Sequence, residues 1–244
     1  MGGRVARAAG AGKAGGVGHF GRGGVMPIYL DIETIPLAFQ PRAWPKDYAK
    51  VRPHSLDPLR ARVLCLGLAV DDGPVRTYYA EHPEDEYDVL FELWHAIRKA
   101  GRGAYPLVAH NAIGFDRPML EWRARVAYVA KPTAGLHGLC QALYQAKPWD
   151  SRWADTVRML PTYGVMGARR TPGGKGTSRK LDDVGVALGL WAPPGPDDLS
   201  GAFVLDAFVA DKGPEIREYC AEDVAKVRAL YRALTGRLHP MEGA

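Results

Sequence analysis

The chain has 244 residues, 47% of them apolar and 24% charged, which is ordinary globular composition and excludes a collagen-like or wholly disordered chain. No apolar run approaches the roughly 18 residues that a membrane helix needs, so a membrane partner is not expected. The net charge of +5 is mostly local: residues 1–25 carry Arg4, Arg7, Lys13 and Arg22 with no acid, so the remainder is close to neutral and any nucleic-acid contact must use local patches.

Residues 1–25 hold 10 of the 29 glycines and no apolar periodicity, which predicts a disordered Gly/Arg-rich tail, with Met26 as an alternative start. GVGHFG, from Gly16 to Gly21, fits a dinucleotide-binding glycine pattern, but no strand precedes it and no helix follows. The folded part is taken as one domain over residues 26–240. Residues 27–32 form a short apolar run and predict a buried strand. Residues 36–60 contain five prolines and predict an irregular excursion. Residues 63–70 and 75–80 flank Asp72-Gly73 and predict a hairpin. Tyr87, Leu90, Trp94 and Ile97 recur at helical spacing, so 84–100 is read as an amphipathic helix. A strand at 106–109, a helix at 115–129, a strand at 153–157 and a helix at 181–190 follow. Strands interleaved with helices, one pair of them a hairpin, indicate an α/β fold with a mixed sheet.

The last helix, from Pro214, is the most legible. At about 100° per residue, Ile216, Cys220, Val224, Val227, Tyr231 and Leu234 fall within an arc of about 80°. Asp223 lies about 20° outside that arc and Tyr219 about 60° outside it, on the same side, which places both on a face bordering the core.

Three separated segments carry the acids on which chemistry could rest. Asp31 and Glu33 alternate in DIET at the end of the first strand, so both carboxylates face one side. Asp116 closes HNAIGFD, where a strand hands over to a helix. Tyr219 and Asp223 sit in YCAED on the last helix. Four carboxylates gathered in a cleft repel one another strongly and become tolerable when hard divalent cations neutralise them. Oxygen-only ligands favour Mg²⁺ or Mn²⁺ over zinc, and two such ions can clamp an in-line phosphoryl displacement.

DIET, HNAIGFDRPML and YCAEDV resemble the three exonuclease motifs of the DEDD superfamily, in its tyrosine (DEDDy) variant, and above all those of the 3′–5′ proofreading domain of family B DNA polymerases. A histidine-type member would carry His five residues before the last acid, where this chain has Glu218. The resemblance covers about residues 26–236 and implies a ribonuclease H-like fold, with a mixed β-sheet flanked by helices. The chain is too short for polymerase palm, fingers and thumb, so the resemblance implies a stand-alone, cytoplasmic 3′–5′ exonuclease that removes nucleotides from single-stranded DNA ends. The alternatives are the same chemistry on RNA, or a non-catalytic or proofreading module working with a separate polymerase.

The resemblance also implies roles. Asp31, Glu33 and Asp223 would hold one Mg²⁺ or Mn²⁺, Asp31 would bridge to a second, and Asp116 would act on that second ion mostly through water. Tyr219 would orient the attacking water, while Asn111 and Thr34 would touch the terminal nucleotide. Among the other features, Arg169, Arg170, Lys175, Arg179 and Lys180 form a glycine-rich basic loop without an acid, a candidate grip on substrate phosphates. Asp155 is read as structural and Asp182 and Asp183 as helix-start acids complementing the dipole. His137 and Cys140 lack the further ligands that a zinc site needs. Three widely spaced cysteines suit a reducing compartment.

Overall fold

The structure, a computed structural model, describes residues 26–37, 52–101, 105–144, 152–160, 180–196 and 198–236. The expected tail and the basic residues Arg169, Arg170 and Lys175 lie outside the described residues.

Five strands form one mixed sheet: β1 (Ile28–Pro36), β2 (Ala61–Val70), β3 (Arg76–Tyr79), β4 (Leu107–Ala109) and β5 (Trp153–Asp155), in the order β3-β2-β1-β4-β5. The first three are antiparallel neighbours, whereas β4 runs parallel to β1 and β5 parallel to β4. The hairpin turns where expected: Asp71 adopts φ 50° and the Gly73 amide donates to the Val70 carbonyl. β1 is longer than the sequence suggests. It runs on to Pro36, so DIET lies inside the strand rather than at its end. Burial explains this, because Ile32 and Ile35 each enter a core on opposite faces of the sheet and hold the strand in register.

Helices α1 (Glu86–Lys99), α2 (Asp116–Ala130) and α3 (Ala134–Tyr144) cover one face. Short helices α4 (Thr156–Met159), α5 (Leu181–Ala187) and α6 (Val204–Val209) and the long α7 (Gly213–Thr235) cover the other. The strand expected over 153–157 gives way to α4 after Asp155, whose carboxylate caps that helix by accepting from the Val157 amide. Two helices, α3 and α6, escape the pattern reading. In α3, Gly135 and Gly138 dilute the helical signal. A Cβ at either position would come within 2.4 Å of the Phe91 or Trp94 ring, so these glycines let α3 approach α1.

Two contacts fix the frame around the site. Glu86, at the start of α1, receives two hydrogen bonds from the Arg123 guanidinium of α2 and one from the Val63 amide of β2, joining three elements through one buried carboxylate. Such a pair is strongly destabilising to break, because one partner is left charged in the core. On the opposite face α7 lies over Gly67 of β2, where a Cβ would stand 2.7 Å from a Val224 methyl and 2.9 Å from the Cys220 carbonyl. That close approach brings the helix backbone down onto the sheet beside β1.

Candidate active site

The alternation of β1 sends Asp31 and Glu33 to the face that α7 covers, along with Tyr29 and Ile35. On α7, Cys220 and Val224 seat the helix, which turns Asp223 inward between them. One carboxylate oxygen from each of Asp31, Glu33 and Asp223 lies within 4.8 Å of the other two, and this is the metal-ligating group found among the described residues. Glu33 and Asp223 are 9% and 8% exposed, while Asp31 keeps more access to solvent.

Burial and mutual repulsion set the charge state. Asp31 is pushed well above the ordinary carboxylate range, first by burial and then by Glu33, Asp223 and Asp116. Glu33 is likewise raised by burial and by Asp223. Burial also raises Asp223, against the pull of a Tyr219 hydrogen bond and the Lys226 ammonium. Three oxygen donors, two of them buried, that resist ionising together fit a hard divalent cation, which removes the repulsion by neutralising them.

Asp116 is not one of the three but lies within electrostatic reach of them, since its charge raises both Asp31 and Glu33. It opens α2 and is 2% exposed, and burial pushes it up to about 7 against the support of the Ile32 amide. The turn that delivers it explains the local sequence. Asn111 adopts φ 64°, a left-handed conformation that asparagine tolerates better than most residues. Its side-chain amide folds over Gly114, where a Cβ would lie 2.4 Å from Oδ1. Asp155 clamps the turn from β5, accepting from the Asn111 amide at 3.1 Å and the Ile113 amide at 3.0 Å. Asp155 is therefore structural, holding the loop that presents Asp116. His110 bonds Thr156 through Nδ1 at 2.8 Å and belongs to the same scaffold.

Tyr219 stands one turn before Asp223. Its hydroxyl hydrogen-bonds the Asp223 carboxylate and accepts from the Gly201 amide at 3.1 Å. Burial and the charges of Asp223 and Glu33 raise the phenol strongly, so it stays protonated at any working pH. Thr34 is engaged within the fold. It is 7% exposed and its hydroxyl donates to the Ser55 carbonyl at 2.6 Å. Asn111 is exposed.

Two residues near the cluster were not singled out by sequence reasoning in this role. Lys226, three residues after Asp223, places its Nζ 3.3 Å from Asp223 Oδ1 and 2.8 Å from Asp182 Oδ1. Asp182 thus engages a lysine of α7 besides opening α5. The only cue in the sequence is a D-x-x-K spacing, which on most helices is a solvated surface pair. His137, by contrast, bonds Gln141, and no metal group includes it or Cys140 among the described residues.

Comparison with known proteins adds the lineage. A family B DNA polymerase from the hyperthermophilic archaeon Pyrobaculum calidifontis matches in structure with a TM-score of 0.59 and 20% identity over 87% of this chain. The chain spans only 25% of that polymerase, and at this identity the likeness speaks for the fold. No curated protein matches the chain. Residues 63–242 match the model of a family described as a predicted 3′–5′ exonuclease related to the exonuclease domain of PolB, a match that takes in the turn carrying Asp116 and the helix carrying Asp223. The chain belongs to that family of predicted PolB-related 3′–5′ exonucleases.

Proposed function

We propose that the chain is a metal-dependent exonuclease that hydrolyses the last phosphodiester at the 3′ end of single-stranded DNA, working with two Mg²⁺ or Mn²⁺ ions. The observation that carries this reading is the meeting of Asp31, Glu33 and Asp223 within 4.8 Å, with the Tyr219 hydroxyl bonded to one of them. Asp31, Glu33 and Asp223 would hold one cation, and Asp116 would serve a second mostly through water. Bound cations supply charge neutralisation at the scissile phosphate and lower the pKa of water.

The protein's own groups have separable roles. Tyr219 remains a phenol, with its single proton directed at Asp223, so it positions the attacking water without taking that water's proton. The Gly201 amide and the Asp223 carboxylate fix the direction of its hydroxyl. Asn111 offers an exposed amide to the terminal nucleotide. Thr34 contributes to the strand's anchorage through Ser55 and is assigned no substrate contact. Arg169, Arg170 and Lys175 would grip phosphates upstream of the cut.

The test is digestion of matched 5′-labelled DNA and RNA oligomers with Mg²⁺, with Mn²⁺ and with chelator. Stepwise shortening of DNA from the 3′ end, only with metal, is the expected result. Preferential shortening of RNA would reassign the substrate, and no cleavage of either would overturn the enzymatic reading.

A further inference from the structure

The carboxylate cluster carries a protein cation of its own. Lys226 lies on the buried side of α7 with its side chain 21% exposed, its Nζ between two acids: Asp223 at 3.3 Å and Asp182 at 2.8 Å. Those acids come from different elements, because Asp182 is in the first turn of α5 and Asp223 is on α7. A lysine bridging a metal-ligating carboxylate and a second carboxylate outside the cluster has two resting places. One of them competes with any cation that approaches Asp223.

We propose that Lys226 is a resident counter-cation of the cluster: it neutralises Asp223 while no metal is bound and withdraws onto Asp182 when a divalent ion arrives, so that the Lys226–Asp182 pair sets how much metal the site requires. This rests on the metal-binding reading of Asp31, Glu33 and Asp223. The electrostatics give opposite signs for the two states of the site. Without metal, the ammonium relieves repulsion among the three clustered carboxylates and stabilises the fold. With metal, the same positive charge repels the incoming ion, and Asp182 reduces that repulsion by giving the ammonium another acceptor.

The experiment measures Mn²⁺ affinity by calorimetry or by electron paramagnetic resonance, and thermal unfolding with and without Mn²⁺, on the full chain. Lys226→Met should bind Mn²⁺ about tenfold more tightly, the scale on which a neighbouring charge shifts an ionic equilibrium. Its metal-free form should unfold at a lower temperature than the parent. Asp182→Asn should do the reverse to affinity, weakening Mn²⁺ binding several-fold. Lys226→Arg, which keeps the charge, should stay near the parent in affinity. In the double variant, Asp182→Asn should lose most of its effect, because there is no lysine left to release. A residue that merely supported the fold would weaken metal binding in both single variants. Weaker binding in Lys226→Met, or additive effects in the double variant, would overturn the inference. If the parent itself binds no Mn²⁺, the metal-site reading falls and takes this inference with it; parent binding with unchanged affinity in both single variants would sink the inference alone.

Discussion

Removing the Tyr219 hydroxyl isolates one hydrogen-bonding group whose partners are all known. Tyr219→Phe deletes the bond to Asp223 and the acceptor for the Gly201 amide at 3.1 Å, and leaves the ring in its seat. Gly201 is exposed, so water replaces the missing acceptor there, but the buried Asp223 also loses a partner, and folding stability should fall by about 1–2 kcal/mol. The effect on cleavage is larger. A hydrogen bond to a charged acceptor contributes about 1.5–3 kcal/mol, and a positioned donor in a transition state can reach about 4 kcal/mol. At about 1.4 kcal/mol per decade, the expected loss in the cleavage rate is about 10- to 1000-fold. Single-turnover cleavage of a 5′-labelled single-stranded oligomer with Mg²⁺ reads the chemical step, and binding in Ca²⁺ reads affinity, which should scarcely move. A Phe variant that cleaves at the parent rate would refute the reasoning and reduce Tyr219 to packing.

The remaining expectations concern the charges. Asp31→Ala or Asp223→Ala should abolish cleavage, and the metal-free Asp31→Ala protein should melt no lower than the parent, because it removes a repelled carboxylate; unchanged turnover in Mg²⁺ and Mn²⁺ would count against the site. Asp116 holds its proton up to about 7 in the fold against an ordinary value of 3.8, so the folded state binds that proton more tightly than the unfolded chain. Asp116's contribution to metal-free stability should therefore be full below about pH 4 and be lost as pH rises through about 7, and Mn²⁺ should flatten that decline. Thermal melts across that window, with and without metal, check the sign. Replacing Arg169, Arg170 and Lys175 together with Ala should weaken binding and lower the salt-dependence slope by about 0.7 for each phosphate that is no longer neutralised. An unchanged slope in Ca²⁺ would place the grip elsewhere.

The parts of the fold that could be read from the sequence are those where a single periodicity dominates. The α7 stripe of Ile216, Cys220, Val224, Val227 and Tyr231 is buried as its spacing predicts, with Asp223 turned inward at its border. β2 was legible as a strand and as half of a hairpin, but its register was not. Both of its faces are covered, so its run from Ala61 to Val70 is apolar almost throughout and carries no alternation to read. The ladder slips between Glu33 and Thr34, and Leu64 and Cys65 both end up in the core under α7. Such a bulge leaves no trace in a run of apolar residues. The candidate site divides in the same way. Asp31, Glu33 and Asp223 were each a weak signal alone and were legible because DIET, HNAIGFDRPML and YCAEDV occur together in the order of a known motif set. Lys226 and Asp182 were not, since their meeting depends on how α5 packs against α7, and the residues preceding α5 give no pattern that fixes its approach.

The three clustered carboxylates come from the first strand and the last helix, about 190 residues apart in the chain. An ion held jointly by Asp31, Glu33 and Asp223 would therefore act as a crosslink between the two ends of the fold, closing a loop almost as long as the domain. Unlike a disulfide, which constrains the unfolded chain as well, such a link forms only once both ends have docked, so it adds stability to the native state alone. Its strength would follow the concentration of free metal. The same ion would then govern how firmly α7 stays docked on β1, the middle strand of the sheet, and depletion of metal would loosen that seam first.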